Sequence, residues 1–275
     1  MRAFLRNRGA VAGLIILIVI MVMAALAPVV YSRSPWDMIG APLQPPGARG
    51  FLLGSDMLGR DIASGIMHGA RVSLLIGVIA SLVAVTIGVT IGACAGYYGG
   101  LIDDALMRVT EFFQTIPNFV LLIVLVALFT PSVASIVVAI GVVSWPPVAR
   151  IVRGEFLSLR AREFVQAAVL LGESDPRIIA TQIVPNALSP IIVSASLLVA
   201  TSILLESALS FLGLGDPNLM SWGYMIGAAR TLIRRAWWMS VFPGLAIVLT
   251  VLALNLIGDG LNDALNPRTS RRGRA

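Results

Sequence analysis

Residues 72–95 read VSLLIGVIASLVAVTIGVTIGACA and contain no charged side chain. A helix of about 20 apolar residues crosses the ~30 Å hydrocarbon core of a bilayer, so this stretch predicts a membrane span. Five other apolar stretches lie at 10–30, 116–129, 133–149, 187–208 and 241–257. The stretch at 116–129 is short, and we expect it to continue backwards as an amphipathic helix over 101–115. The sequence predicts an all-α integral membrane protein with six transmembrane helices.

The composition supports a membrane protein and excludes several kinds of chemistry. Hydrophobic residues make up 57% of the 275 positions and charged residues 12%, about half the share in soluble domains. All 20 basic residues are arginine, which excludes a phosphate-binding loop ending in Gly-Lys-Ser/Thr and a Schiff-base lysine. With one cysteine and one histidine, His68, the chain lacks the side chains of a cysteine cage or a multi-histidine zinc site. We therefore predict no metal site.

Arginine placement predicts the orientation of the chain. With the N-terminus inside, 13 arginines fall in inner segments and seven in outer ones, which favours cytoplasmic N- and C-termini. The same loop arginines account for the net charge of +6 without a nucleic-acid partner. A cleaved signal peptide is the alternative for residues 10–30, because Ala25-Leu26-Ala27 resembles a cleavage site. The apolar run is longer than a signal core and Pro28 would follow the cut, so we expect a retained anchor.

The inner loop at 150–186 carries the strongest functional pattern. Residues 160–172 predict a short amphipathic helix, with Phe164, Ala168 and Leu171 on one apolar stripe and Gly172 as its stop. Asp175 and Pro176 are typical of a new helix start, with Asp175 as N-cap. The stripe fits a groove on a partner protein or, alternatively, the bilayer surface.

Motifs along most of the chain resemble one family of permeases. The loop sequence QAAxxxG (166–172), followed by IVP (183–185), resembles the Glu-Ala-Ala loop of ABC-importer membrane subunits. Gln166 stands where that family usually has glutamate, which removes a charge but keeps hydrogen-bonding capacity. Further motifs resemble the dipeptide/oligopeptide/nickel permeases: LGSDMLGRD (53–61), GARVSL (69–74), GGxxDxxxMR (99–108), ALSFLGLG (208–215), FPGLA (242–246) and GDGLNDALNPR (258–268).

The resemblance implies a fold, a function and partners. The fold is that of a type I (MetI-like) ABC importer, and the long external segment resembles the second, C-type, permease subunit. The implied function is that of a permease without enzymatic activity, forming half of a translocation pathway for di- or oligopeptides, or alternatively for nickel or another small solute. The implied partners are a homologous permease in a heterodimer, two cytoplasmic ATPase subunits that hold ATP and Mg²⁺, an external solute-binding protein and membrane lipid. No cofactor is expected in this chain.

The family's ATPase-coupling function maps onto nine residues of the loop at 150–186. These are Glu163, Phe164, Gln166, Ala167, Ala168, Leu171, Gly172, Ile183 and Pro185.

We expect three parts in a multi-pass protein of the inner, or plasma, membrane. Residues 1–70 form an anchor helix and an external segment that ends in a helix capped at Ser55, 71–265 form the permease domain, and 266–275 form a basic cytoplasmic tail. A self-sufficient secondary transporter or channel is a competing class, but it would normally show inverted repeats or several buried ionisable groups, and no convincing repeat is visible. A structural or assembly protein of the membrane is a third class and predicts no partner ATPase.

Polar and small residues within the spans complete the predictions. Candidates for the translocation path are Glu206, Asn118, Ser144 and Asn255, with structural hydrogen bonds between helices as the alternative. A small-residue stripe, Ala84, Gly88, Gly92 and Gly96, predicts close helix packing within the permease dimer. Spacing also suggests that Arg108 pairs with Asp104 and Glu111 on one helix face.

Overall fold

The chain folds as a succession of α-helices. The computed structural model describes residues 2–48 and 50–265, and these ranges contain no β-strand. The predicted basic tail at 266–275 lies outside the described residues. The helices are α1 (Arg2–Arg6), α2 (Arg8–Val30), α3 (Ile62–Tyr98), α4 (Gly100–Thr115), α5 (Asn118–Leu128), α6 (Val133–Arg160), α7 (Glu163–Leu170), α8 (Asp175–Ile178), α9 (Val184–Phe211), α10 (Trp222–Ala229) and α11 (Trp238–Leu265).

Five of the described helices are long and apolar enough to cross a membrane. They are α2, α3, α6, α11 and the run Asp175–Phe211, in which a π-helical turn at Ile179–Ile183 joins α8 to α9. The pair α4 and α5 meets the same test together and brings the total to six. This architecture confirms the predicted all-α membrane fold.

The third predicted span differs in shape from the prediction. Helix α4 does not continue straight into α5, because the two axes meet at 85°. Pro117 lies between them, and Ile116 before it is extended (φ −85°, ψ 130°), as expected for a residue that precedes proline. With 11 residues, α5 is only about 16 Å long and does not cross the bilayer by itself.

Helix α3 is longer than its apolar stretch. Its 37 residues extend about 55 Å, so the second span and the predicted external helix form one continuous helix. The predicted boundary between residues 70 and 71 lies inside it. Ser55 is not its N-cap: Asp61 has that position, and its carboxylate accepts a hydrogen bond from Ala63 N at 3.0 Å. Ser55 instead stabilises the preceding loop, where its hydroxyl donates to Ala41 O at 2.8 Å.

The small-residue stripe packs α3 against α6 of the same chain. A Cβ at Gly88 would lie 2.7 Å from Val148 Cβ, and one at Gly96 would lie 2.6 Å from Phe156 Cβ. At Gly92 it would clash with the backbone oxygen of Ala149. Close helix packing is therefore confirmed, but its partner is a neighbouring helix and not the second permease. The helix pair forms the framework on which the inner loop rests.

Candidate coupling site

Helix α7, the candidate coupling helix, is bounded by backbone signals that the sequence carries. Helix α6 continues past the apolar stretch to Arg160, and α7 begins at Glu163 after an extended Arg162 (ψ 145°). Gly172 ends the motif with φ +77°, a conformation that disfavours side chains with a Cβ. Two hydrogen bonds, Gly172 N to Val169 O and Glu173 N to Ala168 O, form a Schellman motif. The predicted helix stop at Gly172 is confirmed.

The predicted apolar stripe is divided between two faces of α7. Ala168 is only 5% exposed and faces the body of the protein together with Val165. Phe164 is 43% exposed, and Leu171 lies fully outward at 83%. Ala168 is therefore a packing residue of this chain and is not available to a partner. The correct inward stripe is Val165 and Ala168, which are three residues apart.

The outward face of α7 carries polar and small side chains along its length and two exposed leucines at its end. Glu163, Gln166 and Ala167 are exposed along it, and Leu170 and Leu171 follow with exposed fractions of 87% and 83%. The family motif specifies positions 166–168 and 172 only, so the resemblance does not point to Leu170. Its position three residues beyond Ala167 places it on the same helical face. A cavity of about 500 Å³ lies beside this surface, with Gln166 and Leu170 in its wall.

A hydrophobic cluster fixes α7 to the ends of the long helices. The inward residues of α7 pack with Phe156 of α6, Tyr97 of α3 and the buried Ile183. Pro185 lies exposed in the first turn of α9. Ile183 therefore packs against the inward side of α7 and is not a surface residue of the candidate site.

The helix that follows, α8, begins one residue earlier than predicted. Ser174 is the N-cap of α8, without a side-chain hydrogen bond, and Asp175 is the first helical residue. The freed Asp175 carboxylate accepts a hydrogen bond from the Tyr97 hydroxyl at 2.7 Å. Sequence spacing could not identify this contact, since its partners are 78 residues apart.

An ion pair fixes α4 beside the coupling site. Arg153 of α6 donates two hydrogen bonds to the Asp103 carboxylate, at 2.5 and 2.6 Å. The predicted pairing of Arg108 with Asp104 or Glu111 is wrong: the described residues show no salt bridge among these three exposed side chains. Asp103 is one of the two buried residues of α4, and the GGxxD motif around it is the sequence signal that could have identified it.

The four candidates for the translocation path lie on four different helices. Asn118 on α5 and Asn255 on α11 are exposed, whereas Ser144 on α6 is buried. Glu206 on α9 is 1% exposed, and its Oε1 accepts hydrogen bonds from Ser210 at 2.8 Å and Ser221 at 2.7 Å. No hydrogen bond between described residues joins any two of the four candidates. Glu206 thus links α9 to the N-cap of α10, the structural role that sequence analysis gave as its alternative.

This fold, with its loop between long spans, defines the class of the protein. Residues 88–271 match the family described as binding-protein-dependent transport system inner membrane component. Residues 1–46 match the N-terminal transmembrane domain of oligopeptide transport permease C. The chain therefore belongs to the multi-pass permeases of binding-protein-dependent transport systems, as its motifs predicted; this is a family of transport proteins and not a class of enzymes.

Individual relatives extend over nearly the whole chain. The oligopeptide transport system permease protein OppC of Escherichia coli (strain K12) is 43% identical over 272 residues, which are 97% of this chain and 89% of the relative. The di/tripeptide transport system permease protein DppC of Pseudomonas aeruginosa (strain UCBPP-PA14) is 38% identical over 97% of this chain and 90% of the relative.

A solved structure shares the fold at low sequence identity. A chain of the MetNI methionine ABC transporter, in an inward-facing conformation, superposes with a TM-score of 0.61 at 18% identity and covers 73% of this chain and 96% of the solved chain. The predicted MetI-like fold is confirmed.

Proposed function

We propose that this chain is the C-type membrane subunit of an ATP-driven peptide importer. Relatives with 38–43% identity over nearly the full length carry oligopeptide or di/tripeptide permease names, and this supports peptides as the solute. The chain forms half of the translocation pathway, and a homologous permease forms the other half. An external binding protein delivers the solute to this pair.

Energy enters this chain at the outward face of α7. The observation that carries the proposal is the pair Leu170 and Leu171, two adjacent leucines that are almost fully exposed on a helix fixed from below by a buried cluster. Burial of a leucine side chain in a partner contributes about 1.5–3 kcal/mol, so an exposed pair on a rigid support favours a docking surface. Glu163, Phe164, Gln166 and Ala167 are exposed on the same helix, which stops at Gly172. The occupant is a cytoplasmic ATPase subunit.

The docking direction sets the orientation of the whole chain. The ATPase is cytoplasmic, so the loop that carries α7 lies inside. With six spans, both termini lie on that same side, in agreement with the arginine distribution. ATP-driven closure of the ATPase dimer moves α7 and shifts the spans between inward-open and outward-open states, a two-state equilibrium biased at a distant site.

Two exposed polar side chains suit the pathway or the permease interface. Asn118 and Asn255 lie on membrane helices yet are not covered within this chain. Polar groups in contact with lipid are unfavourable, so both belong against the second permease or a water-filled path. Glu206 and Ser144 are buried within this chain and do not reach either surface.

The docking surface is tested by substituting aspartate for both leucines, Leu170→Asp with Leu171→Asp, in the assembled transporter. Two buried carboxylates without partners oppose docking, so we expect the ATPase subunits to be lost on purification in detergent and solute-stimulated ATP hydrolysis to fall at least tenfold. Leu101→Asp is the matched control: Leu101 is equally exposed, at 87%, and already neighbours acidic residues. If the double variant keeps its ATPase subunits and its stimulated hydrolysis, the proposal is wrong.

A further inference from the structure

Tyr97 lies where the long helix α3 ends beside the coupling helix. It is the penultimate residue of α3, and its ring is buried in the cluster that also contains Val165 and Ala168 of α7. Its hydroxyl leaves this cluster and donates to Asp175 Oδ1 at 2.7 Å. The side chain therefore contacts the coupling helix with its ring and the following helix with its hydroxyl.

The hydrogen bond of the Tyr97 hydroxyl is the one side-chain hydrogen bond between the described residues 161–175 and the long helices α3 and α6. Residues 161–175 comprise α7 and the turn after it. Apart from backbone hydrogen bonds at its two ends, the remaining attachment of this segment is apolar packing, which is non-directional and permits sliding. A hydrogen bond fixes distance and direction.

A second polar contact stabilises the tyrosine ring from the side of α6. The guanidinium carbon of Arg160 lies 5.8 Å from the centre of the Tyr97 ring, within the range of a cation–π interaction. Arg160 is the last residue of α6, immediately before the coupling helix. Tyr97 thus meets both ends of the coupling loop, Arg160 before α7 and Asp175 after it.

We propose that Tyr97 is a positioning residue for energy coupling: its hydroxyl, bound to Asp175, makes α3 follow the movement of the coupling helix. This inference rests on the proposed function, since it presumes that α7 is moved by an ATPase. Helix α3 is the longest helix of the described residues and packs along α6 through the glycine stripe. A displacement at Asp175 is thereby passed to the helix pair at the centre of the bundle.

The direct test is Tyr97→Phe, which removes only the hydroxyl and keeps the ring. In the complete transporter reconstituted in vesicles, we expect assembly and basal ATP hydrolysis to be unchanged. The solute transported per ATP hydrolysed falls about fivefold, the effect of losing one net hydrogen bond from the coupling free energy. Tyr98→Phe is the matched control, because the adjacent Tyr98 is half exposed and its hydroxyl donates to no described residue.

Substitutions of Asp175 separate coupling from mere stability. Asp175→Asn keeps an oxygen that accepts the hydroxyl and should retain most of the coupling, whereas Asp175→Ala should match Tyr97→Phe. The double variant Tyr97→Phe with Asp175→Ala should be no worse than either single variant, since both remove the same contact. A purely structural role would lower transport and hydrolysis together and leave their ratio unchanged.

The outcomes distinguish this inference from the proposed function. If the Leu170 and Leu171 substitutions abolish ATPase docking but Tyr97→Phe leaves the ratio of transport to hydrolysis intact, the role of Tyr97 is wrong and the docking surface stands. If neither change affects the ATPase, the docking surface itself is wrong. Additive losses in the double variant would also overturn the inference.

Discussion

Glu206 is a carboxylate inside the helix bundle whose neighbours are serine hydroxyls. Its Oε1 accepts from Ser210 and Ser221, and Ser221 in turn caps α10 by accepting from Tyr224 N at 3.0 Å. One side chain thus connects the end of α9, the turn and the start of α10. Burial of such a group is tolerated because hydroxyl donors replace its water.

The hydrogen-bond geometry around Glu206 makes a stability prediction. Glu206→Gln keeps an acceptor oxygen for both serines and should leave the thermal midpoint nearly unchanged. Glu206→Leu leaves two buried hydroxyls without their acceptor and should cost about 1–3 kcal/mol, seen as a lower midpoint in detergent. The result against this assignment is a destabilised glutamine variant beside a stable leucine variant, which would point to a requirement for the charge.

Single residues also mark where sequence reasoning succeeds and where it stops. Gly172 was predictable, because a helix stop depends on local backbone conformation. The inward direction of Ala168 was not, because α7 has only eight residues and its apolar side chains fit more than one stripe. The contacts between Tyr97 and Asp175 and between Asp103 and Arg153 join residues at least 50 positions apart, and no local pattern encodes them.

At the scale of helices, the pair α3 and α6 depends on glycine at the points of closest approach. A side chain at Gly92 meets the backbone of α6 at Ala149 and Val152 Cβ at 2.8 Å. Backbone cannot move aside as a flexible side chain does. The two helices would therefore have to separate along the whole stripe.

This close approach predicts that Gly92→Ala destabilises the protein. We expect a cost of about 1–3 kcal/mol from overpacking, measured as the fraction of monodisperse protein that survives heating in detergent. Gly154→Ala on α6 is the matched control, since a Cβ there meets nothing within 4 Å. It should be neutral or slightly stabilising, because alanine favours helix. Equal survival of the two variants would contradict the packing described here.

Helices were predicted well where apolar length decides and poorly where their ends or bends decide. Each of the six apolar stretches contains a helix, but α3 and α6 extend beyond theirs because a helix continues without apolar residues outside the bilayer. The 85° bend at Pro117 was missed, although proline was present, because an amphipathic helix and an apolar helix can join at many angles.

At the scale of the whole molecule, the described chain consists of a helical bundle and one loop, α7, with an exposed apolar end. The N-terminal helix α2 belongs to the bundle: a Cβ at Gly13 would lie 2.8 Å from Leu256 Cβ on α11. The exposed leucines, Leu170 and Leu171, lie at the end of α7, and α7 packs on α3 and α6 through the hydrophobic cluster. This division suits a permease that receives its energy from outside its own chain.

Uptake of a labelled peptide by reconstituted vesicles tests that dependence most directly. Vesicles containing this chain, its homologous permease and the ATPase subunits, supplied with binding protein and ATP, should accumulate the peptide. Vesicles with this chain alone, or with the complex lacking ATP, should not. Accumulation by the chain alone would contradict the account and show that this polypeptide is a self-sufficient transporter.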